Sequence, residues 1–471
     1  MIHTATRQVL RGPVPSPVRR ARRSSPGLRV GVIGGGIAGL ASAHFLLKAG
    51  HVPVVFEASD QLGGLGTYFV HEGVSLERFY HVILDSDGDL RALIAELGVS
   101  DRLVWRETGM GFLVDGALYG FNTPADLLRF RALSVADRLR TGLGALYLTR
   151  FKRNGLDLDE IPARDWLLRL FGERVFERIW DPLLRAKFGE LRDGVPAYWV
   201  WNTLNREKNG SQEVKGYVRG GYRGLAETLR EAIVARGGEI RMEAPVSAIE
   251  ADGDGVHVAA EACEELFDAL ISTLPLPLLA RVARGELAGS VPLPDLKYQG
   301  VVNVLVISRT PLERFYWTAV VDASFPFQGV VETTNVVPPD ATGGRHLIYL
   351  MNYCGAHTAT YRLPDDVLKR EAVDGLARLY PRFDPADVEA VYVFRAPHVE
   401  PAWTLGYLRQ RPAPRIGESR AYVCTTAQAY PRVTAWNTSV ALARETVGAL
   451  TQDLGPGEIG GPNGHLRRGP K

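Results

Sequence analysis

Cysteine is scarce. The 471 residues contain only Cys263, Cys354 and Cys424, too few and too widely spaced for a disulfide framework or a CxxC metal site. A reduced, cytoplasmic protein is the expectation. The ten histidines form no HxH or HxxxH pair, so no metal site is expected. Long apolar runs are missing as well: the best stretch, Asp268 to Ala283, is broken by Pro275 and Pro277. Nothing reaches the roughly 18 consecutive apolar residues of a membrane span. Nor does one sign of charge dominate, since 55 basic and 53 acidic residues leave a net charge of +2. Even that small excess is terminal. Residues 1–27 carry six Arg and no acid, whereas residues 28–454 hold 46 basic and 52 acidic residues. A nucleic-acid-binding body is thereby excluded. The Arg-rich start lacks the apolar core of a secretory signal and reads as a disordered basic tail. Residues 455–471 read as a flexible one.

What the sequence does have is glycine, 50 in all, and three of them are placed with meaning. Arg29 to Gly34 is a short β-branched run, and Ile37 to Ala49 follows with apolar residues at helical spacing. Between them Gly34, Gly36 and Gly39 make a GxGxxG turn. The first glycine permits the tight turn, the second lets a diphosphate approach the backbone, and the third lets helix and strand pack. A second strand, Val52 to Phe56, ends at Glu57, whose carboxylate stands where it can hydrogen-bond the two ribose hydroxyls of an adenosine.

The next stretch, Glu57-Ala-Ser-Asp-Gln-Leu-Gly63-Gly64-Leu-Gly66-Thr67, resembles the flavin-binding N-terminus of the flavin-containing amine oxidase superfamily. It is most similar to the branch that looks like protoporphyrinogen oxidase and phytoene desaturase. The resemblance continues with gaps to about residue 450, through Gly220-Gly221-Tyr222, Pro245-Val246 and Ala269 to Pro275. It implies an α/β fold, with a Rossmann-type FAD-binding domain (28–75, 215–290 and 415–454) and an interleaved α+β substrate domain (76–214 and 291–414). It also implies roles. Glu57 would bind the ribose, Gly63, Gly64 and Thr67 would run beneath the diphosphate toward the flavin, and the Val246 backbone would meet the adenine. Asn437 and Thr438 would open a helix whose N-terminus points at the flavin pyrimidine, where it would stabilise negative charge.

The chain departs from the family pattern in places. Leu65 replaces a common Arg or Lys, and Thr425-Thr426 stands where Gly-Asp is usual. The substrate-domain strand near Val301 to Ser308 offers Asn303 and not the lysine of amine oxidases. No Ser-Gly-Cys-Tyr segment occurs, so the implied FAD is non-covalent.

A flavin dehydrogenase needs a base within hydrogen-bond reach of the substrate. His81, in Arg78-Phe79-Tyr80-His81, and Glu332, on a strand-like run, are the candidates for the catalytic acid/base. The implied function is an FAD-dependent oxidoreductase that transfers hydride from a small organic substrate to flavin N5, with the electron acceptor unassigned. Two alternatives stay open: a non-redox mutase resembling UDP-galactopyranose mutase, and a non-catalytic flavin-binding partner subunit. The stretch 126–153 mixes Leu and Phe with seven basic residues, and reads either as a solvated helix face or as a peripheral membrane contact.

Overall fold

The computed structural model describes residues 27–206, 213–260 and 263–456. The two expected tails therefore lie outside the described residues, apart from Gly27, Gly455 and Pro456. Two sheets organise the rest. In the first, five parallel strands run in the order Ala421–Val423, Ala269–Ser272, Arg29–Ile33, Val52–Phe56, Glu239–Arg241. The side chains of Val30, Val32, Val54 and Val55 are buried, as β-branched residues are when both faces of a parallel sheet are covered; helices cover the face of Val30, Val32 and Val55, and a three-stranded sheet packs on the face of Val54. The helix Ile37–Lys48 follows the first strand and packs against the helices Gly221–Ala235 and Trp436–Leu454. A three-stranded antiparallel sheet (Val246–Ala251, Val256–Ala260, Cys263–Phe267) is inserted beside it.

The second sheet is larger and mixed. Its strand Lys297–Ser308 lies between the edge strand Val388–Ala402 and His346–Cys354, and the sheet continues through Gly329–Glu332, Phe315–Val320, Leu103–Val114 and Glu213–Val218 to Ile83–Leu84. Period-two alternation divides its faces. Val302, Val304 and Val306 meet the helix Asp365–Leu379, whereas Val301, Leu305 and Ile307 share the opposite face with Tyr349 and Met351, beneath Phe69, Phe79 and Tyr80.

Three expectations change. Residues 215–218, placed at the opening of the second flavin segment, pair instead with Leu103–Arg106 in the large sheet. The first substrate stretch, in which apolar residues at helical spacing predict mainly helices, also contributes the hairpin Leu103–Val114 and Ala117–Gly120. The same spacing predicts one helix over 173–188, which carries a π-helical turn at Phe176–Trp180. Among the described residues no helix is long and apolar enough to cross a membrane.

Candidate active site

The glycine turn sits at the C-terminal ends of the parallel strands, the edge where open α/β sheets bind ligands. Its glycines are needed for different reasons. Gly34 has φ +101° and a Cβ there would stand 2.2 Å from Thr273 Oγ1; at Gly39 a Cβ would stand 1.8 Å from the Gly34 carbonyl oxygen. Both are demanded by the protein itself. Gly36 is not: its φ is −71°, and a Cβ would meet only Gly64, at 3.6 Å. The space a side chain would take there is left to something outside the chain.

The surroundings suit an anion. Gly36 caps the helix Ile37–Lys48 without a side-chain hydrogen bond, and the first turn holds no acidic residue, so its orphan amides face outward with the positive end of the helix dipole. Gly63 and Gly64 close the other side. The Gly63 amide donates to the Gly35 carbonyl (2.9 Å), and both glycines have positive φ. Glu57 is fixed nearby. Its Oε2 accepts from the Gly35 amide (2.7 Å) and its Oε1 from the amide and hydroxyl of Ser59 (2.9 and 2.8 Å). A carboxylate offers about four lone-pair sites, so one remains for a ribose hydroxyl. The Glu57 backbone donates to Arg241 O and accepts from Ala244 N, which brings Val246 to the same edge. Glycine cradle, acid and Val246 together fit an adenine dinucleotide.

Further along, the Gly64–Gly66 turn runs to Thr67 and lies against the indole of Trp436, the first residue of the helix Trp436–Leu454. That helix N-terminus therefore lies beside the Gly63–Gly64 turn. The named side chains are engaged elsewhere, however. Asn437 Oδ1 accepts from the Leu90 amide (2.9 Å) and caps a neighbouring helix, while Thr438 Oγ1 donates to Val433 O (2.7 Å). The backbone amides of that helix start and the Asn437 Nδ2 group are left to face a ligand. Thr425-Thr426 forms a closed turn in which the Thr425 amide donates to Gln428 Oε1 (3.0 Å).

His81 belongs to this neighbourhood. Its ring centroid lies 4.8 Å from that of Tyr222 and 6.0 Å from that of Trp436. Nδ1 is 3.0 Å from the Phe79 carbonyl, which can only accept, so Nδ1 carries the proton and Nε2 keeps its lone pair. Burial pulls the His81 pKa down to about 4, leaving it neutral at pH 7. Glu77 is the opposite case. Burial pushes its carboxyl up to about 7, only partly offset by the Tyr222 amide (3.0 Å).

Glu332 is not brought to His81. It alternates with Val331, whose side chain joins the Tyr349 face, and so points to the far side of the sheet. There Oε2 accepts from the amides of Leu312 and Glu313, and Oε1 lies 3.2 Å from His346 Nδ1. It is a structural carboxylate, and the reading of it as an acid/base is corrected.

Sequence reasoning missed a second cluster. Glu400 is 2% exposed; Oε2 accepts from Lys187 Nζ (3.1 Å) and from Thr434 Oγ1, while Oε1 has no partner. The Lys187 ammonium lies 4.2 Å from the Tyr353 ring centroid, and the Tyr353 and Tyr80 hydroxyls are 3.2 Å apart. Thr434 and Tyr80 tie the cluster to Trp436 and His81, their close neighbours in sequence. Asn303, on the same sheet face, donates from Nδ2 to Arg78 O (2.8 Å) and keeps a buried, unpartnered Oδ1. One triad of metal-ligand types, His71, Glu72 and Glu389, brings ligand atoms within 4.8 Å of one another, but both its carboxylates pair with Arg345.

The fold and this edge define a class of dinucleotide-binding enzymes, and comparison with known proteins identifies the family. The model of the flavin-containing amine oxidoreductases matches residues 37–434, and the chain belongs to that family. It is a flavin-dependent oxidoreductase. A 15-cis-phytoene desaturase from Synechococcus elongatus is 27% identical over 334 residues, 61% of this chain and 70% of that protein. Matches to plant proteins of the same name span less than half of their length. Among solved structures, cyclohexylamine oxidase from Brevibacterium oxydans superposes with a TM-score of 0.67 at 15% identity, covering 91% of this chain and all of that one. Reduced UDP-galactopyranose mutase gives 0.71 at 17% identity, covering 91% and 94%. These two likenesses define the fold alone.

Proposed function

We propose that the chain binds FAD non-covalently and dehydrogenates a small organic substrate. The observation that carries this reading is Gly36, a glycine that neither backbone conformation nor protein packing requires, set between helix amides and Gly64. Gly34 to Gly39, Gly63 and Gly64 would hold the diphosphate, Glu57 the ribose, the Val246 backbone the adenine, and Thr67 with the first amides of the Trp436 helix the flavin. A bound flavin supplies a two-electron acceptor for a substrate C–H bond. The chain supplies the rest. His81 Nε2 accepts the accompanying proton, and the Tyr222 and Trp436 rings keep water from it. The Lys187–Glu400 pair holds opposite charges behind Tyr80.

Purified protein should be yellow and should release FAD on denaturation, with neither FMN nor a peptide-linked flavin. Anaerobic substrate should bleach it in one turnover. Colourless protein that FAD cannot reconstitute would end the reading, and isomer formation by chemically reduced protein would favour the mutase.

A peripheral membrane contact is the companion proposal. Val135, Leu139, Leu143, Leu146 and Tyr147 are 44–68% exposed, and Phe151, just past the end of the helix Val135–Arg150, is 69% exposed. Spacings of three and four put them on one helix face, flanked by basic residues, the pattern of a helix lying in a lipid interface.

A further inference from the structure

A cavity of about 480 Å³ opens between the end of the helix Val135–Arg150, the helix Ala197–Arg206 and the start of the helix Trp436–Leu454. That volume lies within the range of small-molecule sites. Five cations line it, Arg150, Lys152, Arg153, Arg206 and Arg432, against one acid, Asp87. Asp87 is already spent, because both of its oxygens accept from Arg206 (2.9 and 3.1 Å). Lys152 and Arg432 are partnered by Asp157 and Glu445, neither of which lines the cavity. Arg150 and Arg153 have no acidic partner among the described residues. Neutral side chains complete the wall: Asn202, Asn205 and the indole of Trp201. The cavity also reaches Asn437 and Thr438, immediately after the Trp436 ring that faces His81.

The geometry points to a seat for a small molecule carrying two adjacent negative charges, diphosphate-like, beside the candidate flavin site. Guanidinium groups match such oxyanions with paired N–H donors, and a concave wall of one sign concentrates the attraction. Calling this molecule the substrate rests on the oxidoreductase reading; the anion seat itself does not. It would place the substrate among anions, with its charged end held at Arg150 and Arg153 and its reacting carbon directed toward His81.

The test is titration calorimetry on the flavin-loaded protein, so that the glycine turn is already filled, with inorganic pyrophosphate as the probe. Saturable binding that weakens steeply with salt is expected, together with at least tenfold weaker binding in Arg150→Gln/Arg153→Gln at unchanged flavin content and melting temperature. A control pair, Arg129→Gln/Arg131→Gln, removes as much charge outside the cavity and should leave affinity within twofold. Absence of saturable binding, or equal losses in the two double variants, would overturn the inference while a yellow protein kept the oxidoreductase reading. Protein that holds no flavin, yet binds pyrophosphate in a manner sensitive to Arg150 and Arg153, would do the reverse. Dihexanoyl phosphatidic acid below its micelle concentration is the second arm. Binding more than tenfold tighter than pyrophosphate marks a lipid-borne anion and comparable binding a soluble one, each with the same loss in the Arg150/Arg153 variant.

Discussion

Gly36 and Gly39 are separated by two residues and by the reason for being glycine, and substitution should tell them apart. Gly39→Ala drives a Cβ into the Gly34 carbonyl and should cost on the order of 1–3 kcal/mol of stability. Gly36→Ala meets only ordinary contact, so it should keep the wild-type melting temperature as apoprotein and lose at least tenfold in FAD affinity. Equal affinity at unchanged stability would show the turn to be structural. Glu57 calls for Gln and not Ala, because Ala would also strip the Gly35 amide of its acceptor. Two titrations act in opposite directions. The raised Glu77 pKa contributes stability that is complete below its ordinary 4.5 and is lost as pH rises through about 7. The lowered His81 pKa contributes stability that is present above its ordinary 6.5 and is lost as pH falls toward about 4. Glu77→Gln should therefore flatten the fall in melting temperature between pH 5 and 8, and His81→Gln the fall below pH 6.5. A Glu77→Gln curve parallel to wild type would mean that Glu77 titrates normally. Much of the cofactor edge was legible because Gly34 to Glu57 is one local strand-turn-helix-strand unit. Lys187 and Glu400 were not, because 213 residues separate them in sequence and only the fold pairs them. For Glu332 the alternation of its strand was readable, but not which face met the pocket.

At the scale of elements, the turn chemistry of one hairpin was readable and went unread. Asp115 and Gly116 have φ of 51° and 71° between Val114 and Ala117, the two-residue Asp-Gly connection that favours antiparallel strands. Gly109 and Gly111 hid the strand before it by interrupting its alternation; both lie against the ring of Phe315 in the neighbouring strand. Helices with strong periodicity, such as Asp365–Leu379, were legible because one apolar face had to be buried. The helix Val135–Arg150 obeys the same period with its apolar face turned outward, and sequence alone does not distinguish the two cases. Flotation with vesicles containing anionic lipid should separate them. Wild-type protein should float, and Leu139→Asp/Leu143→Asp should float at least fivefold less with its flavin content intact. Equal flotation would assign the face to solvent.

At the scale of the molecule, the parallel sheet is gathered from strands that begin at Arg29 and finish at Val423, with the large sheet threaded between them. Fold class was legible because the family-like motifs recur in sequence order; the topology of the large sheet was not, since its strands pair over hundreds of residues. The interleaving carries a consequence for how the protein comes into being. Emerging from the ribosome, the glycine turn and Glu57 are made early, but the edge strand Ala421–Val423 and the helix Trp436–Leu454 arrive last. Until then the helix Ile37–Lys48 lacks the partner helix that covers it. The parallel sheet thus closes only once widely separated segments have met, a long-range topology of the kind that folds slowly and leaves apolar surface open to chaperones in the meantime.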